Sequence, residues 1–278
     1  MDGILGSEKR NLQDPNLRKK ADLARTLQAL SVCLDFSRQG LLLHHRAVAF
    51  TAWEIGKVLG LQETELFDLY CAALIHDGGV RTTRERLELE QFDVQNPWDH
   101  CRRGREILRA SPLLRRLGKI VFHHHDRWEG GNPSLLKKKE IPLASRIIHL
   151  ADRIDVLRMR GTFILHQTGE ITRRIQEGAG KHFDPELVEA YSYLADREVF
   201  WLDLAAFLSP TGPLPFLSSQ PAARGDFPSL SLSDLDQLAL FFARVIDEKS
   251  SFTYRHSRFV AELAAALAAK LVFLPGIP

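Results

Sequence analysis

Hydrophobic residues recur along most of this chain with the spacing that places them on one face of an α-helix. In residues 44–59, for example, His44, Val48, Ala52 and Ile55 are three or four positions apart, and Gly60 follows as a helix stop. No series of alternating polar and apolar residues indicates a β-strand. The pattern predicts an all-α protein, with helices over residues 19–36 and 44–59, a helix reaching His76, and further helices over about 100–108, 113–126, from 142 onward, 168–178 and 185–196.

Residues 205–232 interrupt this pattern with five prolines among serines and glycines, a composition typical of a linker. Helical periodicity returns at Asp234, and a shift of 212 positions aligns this last segment with the first one without a gap. The shift superimposes identical residues: Asp22 and Asp234, Asp35 and Asp247, His44 and His256, Arg46 and Arg258, Ala52 and Ala264, Leu59 and Leu271. We therefore expect a domain over residues 1–204, a linker over 205–232 and an incomplete second repeat of two helices over 233–278.

The two C-terminal helices carry an apolar area that they do not cover themselves. Its residues are Leu238, Phe241, Phe242, Val245, Ile246, Val260, Leu263, Leu267 and Leu271. Soluble monomers seldom expose so large a patch, so we expect it to pack on the first domain or on a second chain. A homodimer is the simpler expectation for a two-helix remnant, and a signalling protein is the other partner that we consider.

Charge and composition exclude several classes of protein. Basic and acidic residues nearly balance, 37 against 35, which argues against binding of a nucleic-acid polymer, and the run Lys137–Lys139 is expected to be a solvated loop. No apolar stretch approaches the about 20 residues of a membrane span, and the polar N-terminus does not resemble a signal peptide. Cys33 and Cys71 lie in apolar surroundings and are expected to be buried free thiols, as in a reduced, cytoplasmic protein.

Histidines and aspartates supply the candidate chemistry. His76 and Asp77 are adjacent, and other such residues recur at intervals on the apolar faces of the predicted helices. The full set is His44, His76, Asp77, His100, His124, His125 and Asp152. A single histidine in a helical core is more often structural, but the joint pattern favours metal ligands. Imidazole and carboxylate groups bind divalent iron, manganese, nickel and zinc, so we expect a metal-binding protein.

Several motifs in family order resemble the HD-GYP branch of the HD superfamily of metal-dependent phosphohydrolases, over about residues 20–200. Residues 44–61 are similar to its His-Ser-x-Arg-Val-Ala … Leu-Gly-Leu, and residues 72–79 to Ala-Leu-Leu-His-Asp-Ile-Gly-Lys. The segment from His100 to Leu108 is similar to His-Pro-x-x-Gly-x-x-Ile-Leu, and residues 124–130 to His-His-Glu-Arg-Trp-Asp-Gly. Residues 141–152 are similar to Ile-Pro … Arg-Ile-Ile … Ala-Asp. The resemblance implies an HD-domain helical bundle and hydrolysis of cyclic di-GMP, the reaction of the studied members.

The resemblance also implies a binuclear metal centre in which the aspartate of the His-Asp pair bridges two ions. One ion would be held by His44, His76, Asp77 and Asp152, and the other by Asp77, His100, His124 and His125. Water bound between the two ions would act as the nucleophile on a phosphodiester. Iron or manganese is the first expectation, with nickel and zinc as alternatives. Some members hold a third ion through a glutamate that corresponds to Gly40, so we expect two ions.

Three departures from the family pattern bear on activity. Val80 replaces the lysine after the His-Asp motif, the Gly-Tyr-Pro motif is reduced to Asn132-Pro133, and the basic stretch after Asp155 aligns only in a doubtful register. The candidate substrate contacts are Arg146, Arg158, Arg160 and Asn132. Two interpretations stay open. The chain is either a phosphodiesterase of the cyclic di-GMP type that cleaves its substrate weakly, or a degenerate module in bacterial signalling that binds a nucleotide or a protein. In the first case Val80→Lys should raise the rate of turnover.

The remaining titratable residues near these motifs receive other roles. Asp155, three positions after Asp152, is a candidate to support a ligand, the alternative being an ordinary charge on the helix. We expect His123 to lie behind the site or at the surface. A structural or solvent-facing role is expected for His45, His149, His166 and His182. His256 has no further ligands in its own repeat, so it is not expected to bind a metal.

Overall fold

The computed structural model describes residues 15–36, 43–208, 230–247 and 256–272, and the statements below concern those residues. They form twelve α-helices and no strand, with one isolated bridge between Ala179 and Phe183. The helices are α1 Pro15–Phe36, α2 His44–Val58, α3 Glu63–Leu74, α4 Thr83–Leu89, α5 Trp98–Arg109, α6 Gly118–Phe122, α7 Leu143–Leu157, α8 Thr168–Glu177, α9 Pro185–Ala195, α10 Glu198–Phe207, α11 Leu232–Asp247 and α12 His256–Val272. The all-α prediction is confirmed.

Helix α2 is the centre of the bundle and packs against α1, α3, α7, α9 and α10. It is surrounded so completely that even Arg46 is buried, with its guanidinium donating to the carbonyl of Phe207 at the end of α10 and lying over the Phe207 ring. Gly60 ends the helix at φ +71°, a conformation that glycine adopts without strain. The amide of Leu61 then bonds back to Gly56. The helix starts at His44 as predicted, and a glycine turn fixes where it stops.

Two of the predicted helices end earlier than expected. Helix α3 ends at Leu74, and the segment predicted over 113–126 is a 3₁₀ turn at Arg115–Leu117 followed by the short α6. His76, Asp77, His124 and His125 consequently lie in turns, so the expectation that all seven candidate ligands are helical is wrong for four of them. Adjacent helical residues point about 100° apart, and two neighbours converge on one site more readily when the backbone has left the helix.

A glycine contact fixes the turn after α3 against α5. A Cβ atom on Gly79 would lie 2.1 Å from the carbonyl oxygen of His100 and 2.5 Å from the amide nitrogen of Gly104. Only glycine permits this backbone approach. Arg103 closes the contact by donating from Nε to the Gly79 carbonyl at 2.8 Å. The approach brings the His-Asp turn beside the first turns of the helix that carries His100.

The C-terminal region differs in part from the expectation. Helix α10 runs to Phe207, so the boundary predicted after residue 204 falls inside a helix. Most of the predicted linker, residues 209–229, lies outside the described residues. Gly40, the position of the third-ion glutamate, also lies outside them. Two helices form over the predicted repeat. Phe241 and Val245 of α11 are buried against Gly78, which confirms that part of the apolar area packs on the first domain.

The last helix, α12, leaves its apolar side exposed. Phe259, Val260, Leu263 and Leu267 are 46–63 % exposed, although the shift of 212 positions relates this helix to α2, which is buried along most of its length. Cys33 is also exposed, so the prediction that it is buried is wrong. The buried face of α1 carries Leu27 and Leu34, and Cys33 is not on that face. In the described part of the chain, no helix is both long and apolar enough to span a membrane.

Candidate metal centre

The structure brings the seven predicted ligands together in one buried cluster, with each residue at most 4 % exposed. The first residue of α2, the turn after α3, α5, the turn after α6 and the middle of α7 each contribute. Burial of so many imidazoles and carboxylates is costly unless they are paired or hold a cation. The cluster consists of His44, His76, Asp77, His100, His124, His125 and Asp152.

Asp77 joins two groups of residues whose side-chain ligand atoms lie within 4.8 Å of one another. The first group is His44, His76 and Asp77, and the second is Asp77, His100, His124 and His125. Asp77 Oδ1 lies 3.2 Å from His100 Nε2 and 3.6 Å from the Nε2 atoms of both His76 and His124. Two donors that bind one ion at about 2.1 Å are about 3.0–3.4 Å apart for octahedral or tetrahedral angles. The observed spacings are close to that range.

Asp152 faces both groups from α7. Its Oδ1 lies 3.3 Å from His44 Nε2 and 4.0 Å from His76 Nε2, and its Oδ2 lies 3.9 Å from His125 Nε2. The carboxylate therefore faces histidines of both groups. Together with Asp77 it offsets part of the positive charge of two divalent ions.

Backbone and carboxylate acceptors orient the histidine rings. His76 Nδ1 bonds the carbonyl of Ala73 at 2.8 Å, and His124 Nδ1 bonds the carbonyl of Val121 at 2.6 Å. When Nδ1 carries the hydrogen, Nε2 presents its lone pair, which is the arrangement found behind metal-bound histidines. His76 Nε2 is buried in the cluster and makes no hydrogen bond there. The chain's own residues thus fit a bound cation.

Electrostatics divide the ligands into two kinds. Burial lowers the pKa of His76 and of His125 well below the ordinary value, so both rings are neutral. Burial opposes the ionisation of Asp77, but the surrounding histidines outweigh it and lower its pKa. For His100, burial is outweighed by Cys101 and Asp77, which raise the pKa to about 9. Without a metal, protons on this ring and on His124, whose pKa is also raised, offset the carboxylates, and an ion has to displace them.

Of the two roles considered for Asp155, the structure shows the supporting one. Its Oδ2 lies 2.7 Å from Nδ1 of His44, so it orients that ring from the next turn of α7. Arg158 and Arg160, the candidate substrate contacts, both donate to the same carboxylate, at 2.9 Å and 2.6 Å. The structure gives these two arginines a role behind His44, and a role in substrate binding stays a prediction.

The other two candidate substrate contacts are also engaged within the fold. Arg146 pairs with the buried Asp184 and donates from Nε to the carbonyl of Ile141 at 3.0 Å. Asn132 is 3 % exposed, accepts from the amide of Arg127 at 2.8 Å and donates to the carbonyl of Leu136 at 2.7 Å. Asn132 therefore closes the loop between the histidine pair and α7.

Arg153 is a residue that sequence reasoning missed. Its guanidinium donates to Asp152 Oδ2 at 2.6 Å and to the carbonyls of Gln91 and Leu89 at 2.5 Å and 3.1 Å, while the side chain stays 3 % exposed. Arg153 thereby connects the α7 carboxylate to the loop that follows α4. An arginine next to an aspartate on a helix carries no local signal of this, because the partner carbonyls are about sixty residues away in sequence.

Residues assigned to other roles lie where the sequence analysis expects or close to it. His45 is buried and bonds Asp35 Oδ1 at 2.6 Å, and His123 bonds Asp126 Oδ2 at 2.7 Å, behind the cluster. His256 is exposed at the start of α12. Val80 is buried in a small separate cluster with Leu89 and Val94, so its side chain fills a core position.

Comparison with known proteins gives the same family. The sequence profile of the HD domain matches residues 28–187. A 3′3′-cGAMP-specific phosphodiesterase 1 of Vibrio cholerae is 25 % identical over 94 % of this chain and 61 % of its own length. A cyclic di-GMP phosphodiesterase of Thermotoga maritima is 29 % identical over 64 % of this chain and 50 % of its own length.

The fold also matches a solved structure. A crystal structure of a cyclic GMP-AMP-specific phosphodiesterase of V. cholerae superimposes with a TM-score of 0.67 at 23 % identity, over 91 % of this chain and 66 % of that chain. This chain therefore spans less than two thirds of the length of each of these proteins. The profile match covers more than half of the sequence, and the relatives agree with the motifs. The chain belongs to the HD-domain family, in its HD-GYP branch.

Proposed function

We propose that this chain is a metal-dependent phosphodiesterase that hydrolyses a phosphodiester bond of a cyclic dinucleotide. The observation that carries the proposal is the shared carboxylate: Asp77 belongs to both ligand groups, with three imidazole nitrogens within 3.6 Å of its Oδ1. A carboxylate between two cations is the centre of sites that displace an oxygen at phosphorus. The relatives named as phosphodiesterases of cyclic di-GMP and 3′3′-cGAMP support this substrate class.

In this proposal one ion takes His44, His76, Asp77 and Asp152 as ligands, and the other takes Asp77, His100, His124 and His125. The bound ions would supply Lewis acidity and a water of lowered pKa. The chain contributes the orientation of the rings through Nδ1, the exclusion of bulk water by burial, and two carboxylates that remain ionised. The donors are nitrogen and oxygen, which suits iron or manganese, with nickel and zinc as the alternatives.

Metal content measured together with turnover tests the proposal. The full chain, reconstituted with manganese or ferrous iron, is assayed on cyclic di-GMP, on 3′3′-cGAMP and on a nitrophenyl phosphodiester. We expect two equivalents of metal and hydrolysis of a cyclic dinucleotide. Asp77→Ala should lose both ions, whereas His100→Ala should weaken mainly one. His166→Ala removes an exposed histidine outside the cluster and serves as the matched control.

A second candidate function is binding of the nucleotide without turnover. Val80 favours it, because a buried apolar side chain stands where the family motif has a lysine. Equilibrium dialysis with labelled cyclic dinucleotide separates the two candidates, since binding without product identifies the second. Less than about half an equivalent of metal after reconstitution, well below the full occupancy that a buried multi-histidine site should reach, would contradict both.

We further propose that a second copy of the chain covers α12 and that the protein acts in the cytoplasm. The exposed apolar side of α12 supports the first statement, and three free cysteines support the second. Light scattering of the full chain and of a chain ending after α10 tests assembly. If both are monomers of equal solubility and stability, α12 has no role in assembly.

A further inference from the structure

Asp126 is a buried carboxylate beside the metal centre that the ligand sets above do not use. It follows His125 directly and is 2 % exposed, and both of its oxygens are engaged. Its Oδ1 accepts from the indole Nε1 of Trp98 at 3.2 Å. Its Oδ2 lies 2.7 Å from His123 Nδ1 and accepts from the hydroxyl of Ser134 at 2.7 Å. One carboxylate therefore joins three segments: the start of α5, the turn after α6 and the loop that leads to α7.

Two of these segments carry the three candidate histidine ligands of one ion, which we call the second ion position. Trp98 begins α5 two residues before His100, and Asp126 comes directly after His124 and His125. The Nε2 atoms of His100 and His124 are 3.3 Å apart, close to the about 3.4 Å expected for two nitrogens on the same ion. If the turn moved away from α5 by about 1 Å, this distance would exceed the about 4.2 Å that two donors on one ion can span. The position of the turn relative to α5 therefore decides whether this ion binds.

Other contacts fix the turn relative to α5 less directly. Helices α5 and α6 pack together, but α6 ends at Phe122, so the helix no longer sets the backbone of residues 123–126. The hydrogen bond that orients His124 runs to Val121 within the same segment and does not reach α5. Arg127 donates to the carbonyl of Val94 at 2.9 Å, ahead of α5, but its side chain is 28 % exposed. Asp126 makes its connection from a buried position, where hydrogen bonds to a charged group are stronger than in water.

We propose that Asp126 is a positioning residue, which holds His124 and His125 in register with His100 so that the three imidazoles bind one ion. This inference rests on the proposed metal centre and gives its two ion positions different supports. At the first position, that of the other ion, Asp155 orients a histidine ring directly. At the second position Asp126 instead fixes a backbone turn against the start of α5. Loss of Asp126 should therefore weaken the second position and spare the first.

Calorimetric titration of the metal-free full chain with cobalt tests the proposal, because the two ion positions are compared within one protein. His100→Ala removes a ligand of the second position alone and so identifies the binding step of that position. In Asp126→Asn the affinity of this step should fall about 10- to 100-fold, while the first position stays within about twofold of the wild type. Trp98→Phe keeps an aromatic ring but removes the indole N–H. It should lower the affinity of the same step about tenfold, the effect of one hydrogen bond to a charged group.

Glu129→Gln is the matched control, since it removes the same charge from an exposed side chain three residues further along the loop, and it should leave both steps unchanged. Equal losses at both positions in Asp126→Asn would show a general structural role and overturn the proposal, as would wild-type affinity at both; in either case the metal centre stands. If the wild type binds no cobalt, the metal centre and the positioning role both fall. If Asp126→Asn does not fold, Trp98→Phe decides by the same comparison, because it leaves the buried carboxylate and its other two contacts in place.

Discussion

Substitution of Gly79 by alanine tests the geometry of the centre without touching a ligand. The new Cβ would lie 2.1 Å from the His100 carbonyl oxygen, and ordinary contact begins at 3.4 Å, so the two backbones must separate by about 1.3 Å. Such a movement takes the distance between Asp77 Oδ1 and His100 Nε2 from 3.2 Å to about 4.5 Å. Donors that bind one ion at about 2.1 Å cannot be more than about 4.2 Å apart.

Gly79→Ala should therefore lose the ion shared by Asp77 and His100, with affinity at that position falling at least about 100-fold. Overpacking of a tight backbone contact should also lower the free energy of unfolding of the metal-free chain by about 3 kcal/mol. Calorimetric titration with cobalt measures the first effect, and urea denaturation measures the second. The two readouts are separate because denaturation is followed without metal.

Gly169→Ala is the matched control. Gly169 lies exposed in the first turn of α8, and a Cβ atom added there would meet nothing within 4 Å. Alanine at this position should stabilise the helix by up to about 1 kcal/mol. Metal binding should be unchanged. Two ions bound by Gly79→Ala with wild-type affinity would refute the reasoning that the Gly79 contact sets the distance between Asp77 and α5.

Four further predictions follow from particular contacts. Metal affinity should rise between pH 6.5 and about 9, because a bound ion displaces the proton of His100, whose pKa is raised to about 9; titration calorimetry at pH 6 and pH 9 would show this. In the metal-free chain the same proton stabilises the fold fully below pH 6.5, and this stabilisation is lost as the pH rises through about 9, as denaturation at pH 6 and pH 9 would show. Arg153→Ala should cost about 3–5 kcal/mol of unfolding free energy, because the buried Asp152 loses the guanidinium that pairs with its Oδ2. A cost below about 1 kcal/mol would contradict this. Val80→Lys places an ammonium group in the apolar cluster of Val80, Leu89 and Val94. The substitution should therefore destabilise the fold by several kcal/mol and should not raise turnover. A variant that is as stable as the wild type and turns over faster would contradict this expectation. Cys33 should react with a thiol reagent in the folded protein while the two buried thiols react only after unfolding, which a timed thiol count would verify.

The sequence alone determined the fold class and the members of the cluster. Helical periodicity is a local property, so the stripe from His44 to Ile55 predicted α2 without any knowledge of its neighbours. The ligand candidates were predictable because histidine and aspartate are uncommon on apolar faces and because their motifs occur in family order. The structure brings all seven together, although their roles as ligands stay a prediction.

Tertiary structure decided which atoms of those residues face one another. The place of Arg153 depends on a carbonyl 62 residues away in sequence. The backbone acceptor behind His124 is only three residues away, but it meets the ring because the helix has ended and the chain has turned. Arg158 and Arg160 appeared as substrate contacts because their charge is visible in the sequence, whereas their partner, Asp155, is identified only by packing.

The two copies of the repeat show the same limit most directly. Helices α2 and α12 begin at positions that the shift of 212 residues makes equivalent, because helix formation follows local pattern. Yet α2 is buried along most of its length and α12 is exposed, since burial requires neighbouring helices at the right distance and those lie elsewhere in the chain. A sequence pattern specifies which face of a helix is apolar, but only the arrangement of the other helices determines whether that face is covered.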